Sequence, residues 1–394
     1  MEKFDFLQIH IQELAAAHLL RTPRRIDSPQ GTTVTIDGEQ KTLFCSNNYL
    51  SLANHPAIVE AVCKSAREYG YGSAASRLIS GTMTPHIELE QALAKLFLKE
   101  SALIFPSGWT ANDAILKTIP QKGDLVLIDK LDHASIIDAA TRSDAEFKTY
   151  RRGSLDRLEK ALADKNYNRK FIVTESIFSM DGDKADLHTL VQLKKEYNAI
   201  LIVDEAHAVG CLGTTGAGLA EEMGLLSEVD IVVATMSKAL AASGGVVAAP
   251  KVVTDYLINK ARSFIYTTAP TPVNCMAILA AMEILKTEPQ RKEKLAENAA
   301  YLRDCLKKHG LNTGESSTHI IPVIIGSEKD TLAVSQCLYE KGFFVAAIRP
   351  PTVPPGTSRL RISLQAEHTK QQIDRLCECL CSENRSHKAV ISCL

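Results

Sequence analysis

Ala199-Ile200-Leu201-Ile202-Val203-Asp204-Glu205-Ala206-His207 is a short apolar run that stops abruptly at a carboxylate. Uninterrupted apolar residues without alternation suit a strand buried on both faces. Similar runs lie at Ser101–Phe105, Leu125–Ile128, Phe171–Thr174, Ile231–Ala234 and Val246–Ala249, and helical patterns such as Leu155–Leu162 and Leu187–Tyr197 separate several of them. Strand and helix in alternation predict an α/β domain with a mainly parallel sheet covered by helices. Chemistry on such a sheet collects beyond the carboxyl ends of its strands. The polar residues that follow the runs therefore matter most: Gly108, His133, Glu175, Asp204, His207, Thr235 and Lys238.

After a helical stretch over Pro272–His309 the texture changes. Ile320–Ile325, Phe343–Ile348 and Arg359–Leu364 read as strands, with helices near Lys329–Glu340 and Thr369–Cys381, which suits a smaller α+β domain. The chain opens with a helix and a turn-rich strand, Thr32–Phe44. The expected division is an N-terminal segment over 1–45 that packs on the small domain, a large domain over 46–285 and a small C-terminal domain over 286–394.

The 394 residues carry 45 Lys and Arg against 46 Asp and Glu, a net charge of -1, which argues against a polyanion surface. Met1 to Arg25 lacks the apolar core and cleavage site of a signal peptide. The longest uncharged apolar run, Cys275–Met282, is far too short to span a bilayer. A soluble cytoplasmic protein with reduced cysteines is expected. Cys63, Cys275 and Cys305 sit inside apolar patterns. Ile373, Leu376, Cys377, Leu380 and Cys381 repeat at helical spacing, so Cys377, Cys379 and Cys381 read as part of a buried stripe and no metal is expected.

Three motifs mislead. Asp204-Glu205-Ala206-His207 spells the acidic box of certain helicases, but that reading needs an upstream phosphate loop, and the chain has no Gly-Lys dipeptide. Gly210, Gly213, Gly216 and Gly218 do not meet the G-x-G-x-x-G order of a dinucleotide loop. Asp181-Gly182-Asp183 is too short for a calcium loop.

Asp204 at the end of an apolar strand needs a cationic or hydrogen-bonding partner, because a buried carboxylate loses hydration worth several kcal/mol. Such a partner is a helix cap, a distant Arg, or a protonated pyridine nitrogen, whose ring the carboxylate would make a better electron sink. His207 stands three residues on, within reach of the same ring. Lys238 ends the next strand and is followed by small residues, Ala239 to Gly245; desolvation there would lower its pKa and suit Schiff-base formation. Ser107-Gly108-Trp109 opens a helix whose N–H groups would cradle a phosphate, to which Thr235 could donate. His133 could stack on a heteroaromatic ring, or be an ordinary core imidazole.

This set, with Asn47-Asn48-Tyr49-Leu50, Tyr71-Gly72-Ser73-Ala74-Ala75-Ser76-Arg77, His133-Ala134-Ser135 and the run from Glu175 through Ser179 to Asp183, resembles the α-oxoamine synthases over nearly the full chain. These are fold type I pyridoxal 5'-phosphate (PLP) enzymes that join an amino acid to an acyl thioester with loss of carbon dioxide. The resemblance implies that Lys238 holds PLP as a Schiff base and moves the α-proton. It places Asp204 on the pyridinium, His133 stacked on the ring, Ser179 and His207 on the ring oxygen, and Gly108, Trp109 and Thr235 on the phosphate. Thr267 and Thr268 would reach the phosphate of a neighbouring subunit, which implies a homodimer. Arg361 with Asn47 would hold the amino-acid carboxylate, and Arg21, Arg349 and Thr352 would face the acyl substrate.

Residues 77–81 and 347–354 resemble the branch that takes L-alanine and a pimeloyl thioester, rather than the branch that takes glycine. Either coenzyme A or a carrier protein could carry the acyl group, and either His133 or His207 could polarise its carbonyl. Departures from the family pattern are Ala74, Trp109, Asp132, Ser237 and Ala241. A sister synthase, or a partner subunit that binds PLP without turnover, are the other readings; retention of Lys238, Asp204, His207 and Arg361 together speaks against the second.

Overall fold

The computed structural model describes residues 3–391. The chain divides into two compact units, one of residues 47–179 and 183–293, the other of residues 1–46, 180–182 and 294–394.

The larger unit is built on a seven-stranded sheet. Its order across the sheet is Ser101–Phe105, Gly245–Ala249, Ile231–Thr235, Ile200–Asp204, Lys170–Glu175, Leu125–Asp129 and Glu146–Tyr150. Gly245–Ala249 runs antiparallel to both its neighbours, and the remaining pairs are parallel. All residues of Leu125–Asp129, Ile231–Thr235 and Gly245–Ala249 are buried, which is why these strands read as unbroken apolar runs. Helices Gly108–Thr118 and Ala134–Thr141 pack with the sheet around Phe105, Ile128, Phe171, Ile202 and Val233. The edge strand Glu146–Tyr150 escaped the sequence reading because only Tyr150 is buried and its other positions are polar or exposed.

The smaller unit holds two three-stranded sheets. In the first, Thr33–Ile36 and Glu39–Leu43 form an antiparallel hairpin, with Phe343–Phe344 parallel to its second strand. The expected single strand over Thr32–Phe44 is thus two. Asp37 and Gly38 lie at φ 51° and 80°, the left-handed pair a two-residue hairpin turn requires. The second sheet pairs Ser358–Ser363 antiparallel with Ile320–Gly326 and Ala346–Ile348. Phe343–Ile348 therefore serves both sheets in two short pieces, broken at the buried Val345.

The stretch Pro272–His309 is likewise two helices, Pro272–Thr287 and Gln290–Lys308, since Pro289 cannot continue the hydrogen-bond ladder. Asp181-Gly182 has a structural use: Asp181 pairs with Arg359, and Gly182 accepts from Thr318 Oγ1 at 2.8 Å. Gly182 has φ 68°, and a Cβ there would lie 1.9 Å from Ile320 O. Cys377 lies in the helix Lys370–Ile391, and its sulfur is in bonding contact with that of Cys305, a pairing at odds with the expected reduced state. Cys63, expected within an apolar pattern, is exposed. No helix among the described residues is long and apolar enough to cross a membrane.

Candidate active site

The carboxyl ends of the parallel strands and the N-terminus of Gly108–Thr118 enclose a cavity of about 210 Å³. Gly108, Trp109, His133, Glu175, Asp204, Thr235 and Lys238 all line it, beside Asn112, Ser135 and Ser237. Six of the seven residues singled out by sequence position line it, and the seventh, His207, meets Lys238.

One wall is a helix start. Ser107 accepts from Thr110 N at 3.2 Å, and the Thr110 hydroxyl returns a bond to the Ser107 backbone, so the cap is held from both sides. Gly108 is packed on Thr235, where an added Cβ would sit 3.2 Å from Thr235 Cβ. The Thr235 hydroxyl donates to Gly244 O at 2.9 Å and lies 2.7 Å from Ser237 Oγ. Backbone N–H groups at a helix N-terminus beside two hydroxyls form an anion cradle.

The amine lies across the cavity. Lys238 is half-buried, and its Nζ is 2.9 Å from His207 Nε2. Tyr49 Oη, 2.8 Å from His207 Nδ1, spends its single proton on Asn47 Oδ1 at 2.9 Å. It can then only accept from His207, so Nδ1 carries the imidazole proton and Nε2 faces Lys238 as an acceptor. Asn47 and Tyr49 thus fix the tautomer of His207.

Asp204 accepts from Asn112 Nδ2 at 2.8 Å and from Ala206 N at 2.9 Å. Asn112 gives its other proton to Ser135 Oγ at 3.0 Å, and that hydroxyl also meets His133 Nδ1 at 2.8 Å. His133 is exposed rather than a core imidazole, and Trp109 meets it edge-on with ring centres 6.0 Å apart. Glu175 is buried against Asp204, and desolvation followed by the Asp204 charge pushes its carboxyl up to about 8.

Asn112, which the sequence reading passed over, lies one helical turn beyond Gly108 and so shares its face; that spacing was the available signal. Ser179 is buried in the same unit. Thr267 and Thr268 do not line this cavity; Thr268 lines a second, more open one with Cys63 and Tyr71. The remaining expected residues belong to the smaller unit. Arg361 is buried and donates to Ser363 Oγ at 2.8 Å. Arg349 donates to the carbonyls of His18 and Leu20, Arg21 donates to Pro350 O at 3.1 Å, and Thr352 is exposed. Arg77, quoted in both resembling segments, is held in a buried bidentate pair with Glu90 at 2.8 and 3.0 Å.

Residues 39–380 match the family model for aminotransferase class I and II. An 8-amino-7-oxononanoate synthase of Geobacter sulfurreducens is 42% identical over 93% of this chain and 94% of its own. The 8-amino-7-oxononanoate synthase 1 of Bacillus velezensis is 41% identical over 96% and 97%. The chain belongs to the 8-amino-7-oxononanoate synthase family. Solved structures agree on the fold of that family. A serine palmitoyltransferase from S. paucimobilis with a bound PLP–myriocin aldimine superposes with a TM-score of 0.91 at 30% identity, covering 98% of both chains. An 8-amino-7-oxononanoate synthase from Francisella tularensis gives 0.77 at 28% identity, covering 88% of this chain and 98% of that one. The fold type I architecture implied by the family resemblance, and the mainly parallel sheet expected from the alternating runs, are those of these relatives.

Proposed function

We propose that this chain is a PLP-dependent acyltransferase that condenses L-alanine with a pimeloyl thioester, releasing carbon dioxide, the free thiol of the acyl carrier and 8-amino-7-oxononanoate for biotin synthesis. The observation that carries this reading is the convergence of Lys238, His207, Asp204 and the Gly108 helix start on one cavity, in a chain 41–42% identical to synthases of that name.

The donor set fits PLP. The helix start at Gly108, with the hydroxyls of Thr235 and Ser237, suits a phosphate; the Lys238 amine suits an aldehyde; Asp204, steadied by Asn112, suits a pyridinium nitrogen. When bound, the cofactor supplies the electron sink for carbanion formation and decarboxylation. Lys238 is the base that takes the α-proton of alanine and later returns one. His207 Nε2, held as an acceptor by Tyr49, steadies the Lys238 amine before that transfer. His133 and Trp109, which line the cavity and meet edge-on, would cover one face of a flat ring there. Arg361, with Asn47, takes the alanine carboxylate; Arg21, Arg349 and Thr352 take the acyl side. Thr267 and Thr268 serve the phosphate of a partner copy, so the working unit is a cytoplasmic homodimer.

The test is product formation, read by mass spectrometry, from L-alanine and pimeloyl-coenzyme A or the pimeloyl carrier protein. Lys238→Ala should bind PLP noncovalently and make no product. Turnover with glycine and a short acyl thioester, and none with alanine and pimeloyl donors, would assign a sister synthase instead.

A further inference from the structure

Three carboxyl groups stand side by side where three adjacent strands end. Asp132 follows Leu125–Asp129, Glu175 ends Lys170–Glu175, and Asp204 ends Ile200–Asp204; Glu175 and Asp204 are directly paired in register. All three are buried, at 4%, 2% and 6% exposure, and only part of this charge can be met by nearby cations.

Their hydrogen bonds differ. Asp132 accepts from Asp129 N at 2.8 Å on one oxygen and from Glu175 N at 3.0 Å on the other. Asp204 likewise has a donor on each oxygen, Asn112 on one and Ala206 N on the other. Both arrangements offer what an ionised carboxylate needs, although at Asp132 burial and then the Glu175 charge push the carboxyl well above its usual range against those two bonds. Glu175 receives the His133 backbone N–H, but its Oε2 is fully buried with no hydrogen-bond partner among the described residues. A bare anionic oxygen there would bear its desolvation uncompensated.

We propose that Glu175 works as a neutral carboxylic acid, holding a proton on Oε2 and presenting it to the cavity as a hydrogen-bond donor. The charged and titratable groups around it are Asp204, Lys238, His133, Asp132 and Arg152. The Asp204 charge opposes its ionisation and Lys238 and Arg152 favour it, while burial tips the balance to the neutral form. Glu175 thus offers a donor at neutral pH in a wall that otherwise presents the accepting oxygens of Asp204. That the acceptor is an oxygen of the substrate rests on the proposed function; the proton itself does not.

Difference infrared spectra of the full-length protein, with and without PLP, read the proton directly as the carbonyl stretch of a protonated carboxyl. The wild type and Asp132→Asn should show a band that disappears between about pH 7 and about pH 9, and Glu175→Gln should lack it. A band unchanged in Glu175→Gln, one lost in Asp132→Asn, or none in the wild type overturns the assignment. The donor role is read from PLP and substrate-analogue affinity. Glu175→Gln, which keeps a donor, should stay within about 3-fold of wild type, and Glu175→Leu should lose about 10-fold or more for one ligand; equal affinities in the two variants refute it. Should Glu175→Leu fail to fold, the wild-type and Asp132→Asn spectra still decide the protonation. None of these readouts needs turnover, so their failure leaves the condensation reaction standing.

Discussion

Asn112 Nδ2 donates to Asp204 Oδ2 at 2.8 Å and so couples the second turn of the Gly108–Thr118 helix to the end of the Ile200–Asp204 strand. One amide therefore ties the carboxylate proposed to face the cofactor to the helix start proposed to hold its phosphate. Asn112→Leu keeps the volume and removes both donors. PLP affinity should fall about 10-fold, the equivalent of about one charge-assisted hydrogen bond. Equilibrium titration with PLP measures this, and unchanged affinity would show that Ala206 N alone orients Asp204.

Tyr49 sets the His207 tautomer by giving its proton to Asn47. In Tyr49→Phe the Nδ1–H loses its acceptor, and the imidazole is free to turn its proton toward Lys238. Turnover should drop by about 10-fold with KM for L-alanine little changed, because the loss falls on proton transfer rather than on binding. A rise in KM alone would place Tyr49 in substrate binding instead.

The sheet and most of this cavity were legible in the sequence because buried parallel strands leave unbroken apolar runs, and the residue after each run must sit at the carboxyl edge. Lys238, Asp204 and His207 were found by position for that reason. Asn112 was not, since its spacing one turn beyond Gly108 places it on the right helix face but does not say which side chain it meets. Arg77 and Asp181-Gly182 show the converse: residues quoted as family or metal-like motifs turn out to hold backbone and ion pairs in place. The strand Glu146–Tyr150 lies at a sheet edge, where polar side chains are tolerated and periodicity fades.

Gly245 is required by close approach rather than by backbone conformation. An added Cβ would meet Ser107 O at 2.4 Å and Gly108 N at 2.7 Å, backbone atoms of the proposed phosphate cradle that cannot turn aside. Gly245→Ala should cost about 1–3 kcal/mol of stability and weaken binding of PLP more than binding of pyridoxal, which lacks the phosphate. A denaturation midpoint and the two affinities measure this. An equal loss for both ligands would mean that the helix start moved without affecting the phosphate.

His368 makes the smaller unit sensitive to acid. Its ring stacks on Phe44 with centres 4.2 Å apart, accepts from Gln365 N at 2.9 Å and donates to Leu43 O at 3.1 Å. Burial brings its pKa down from 6.5 to about 4, against a smaller opposing effect of the Leu43 bond. The folded chain therefore keeps His368 neutral where the unfolded chain would protonate it. The stability this contributes is present above the unfolded pKa and is lost as pH falls through the folded one, a change on the order of 3 kcal/mol in all. His368→Leu should be less stable than wild type near neutral pH, since Gln365 N and Leu43 O lose their partner, yet should lose less stability between about pH 6.5 and about pH 4. Denaturant titrations at a series of pH values test both halves, and parallel pH curves for the two proteins would show that another group governs the acid transition.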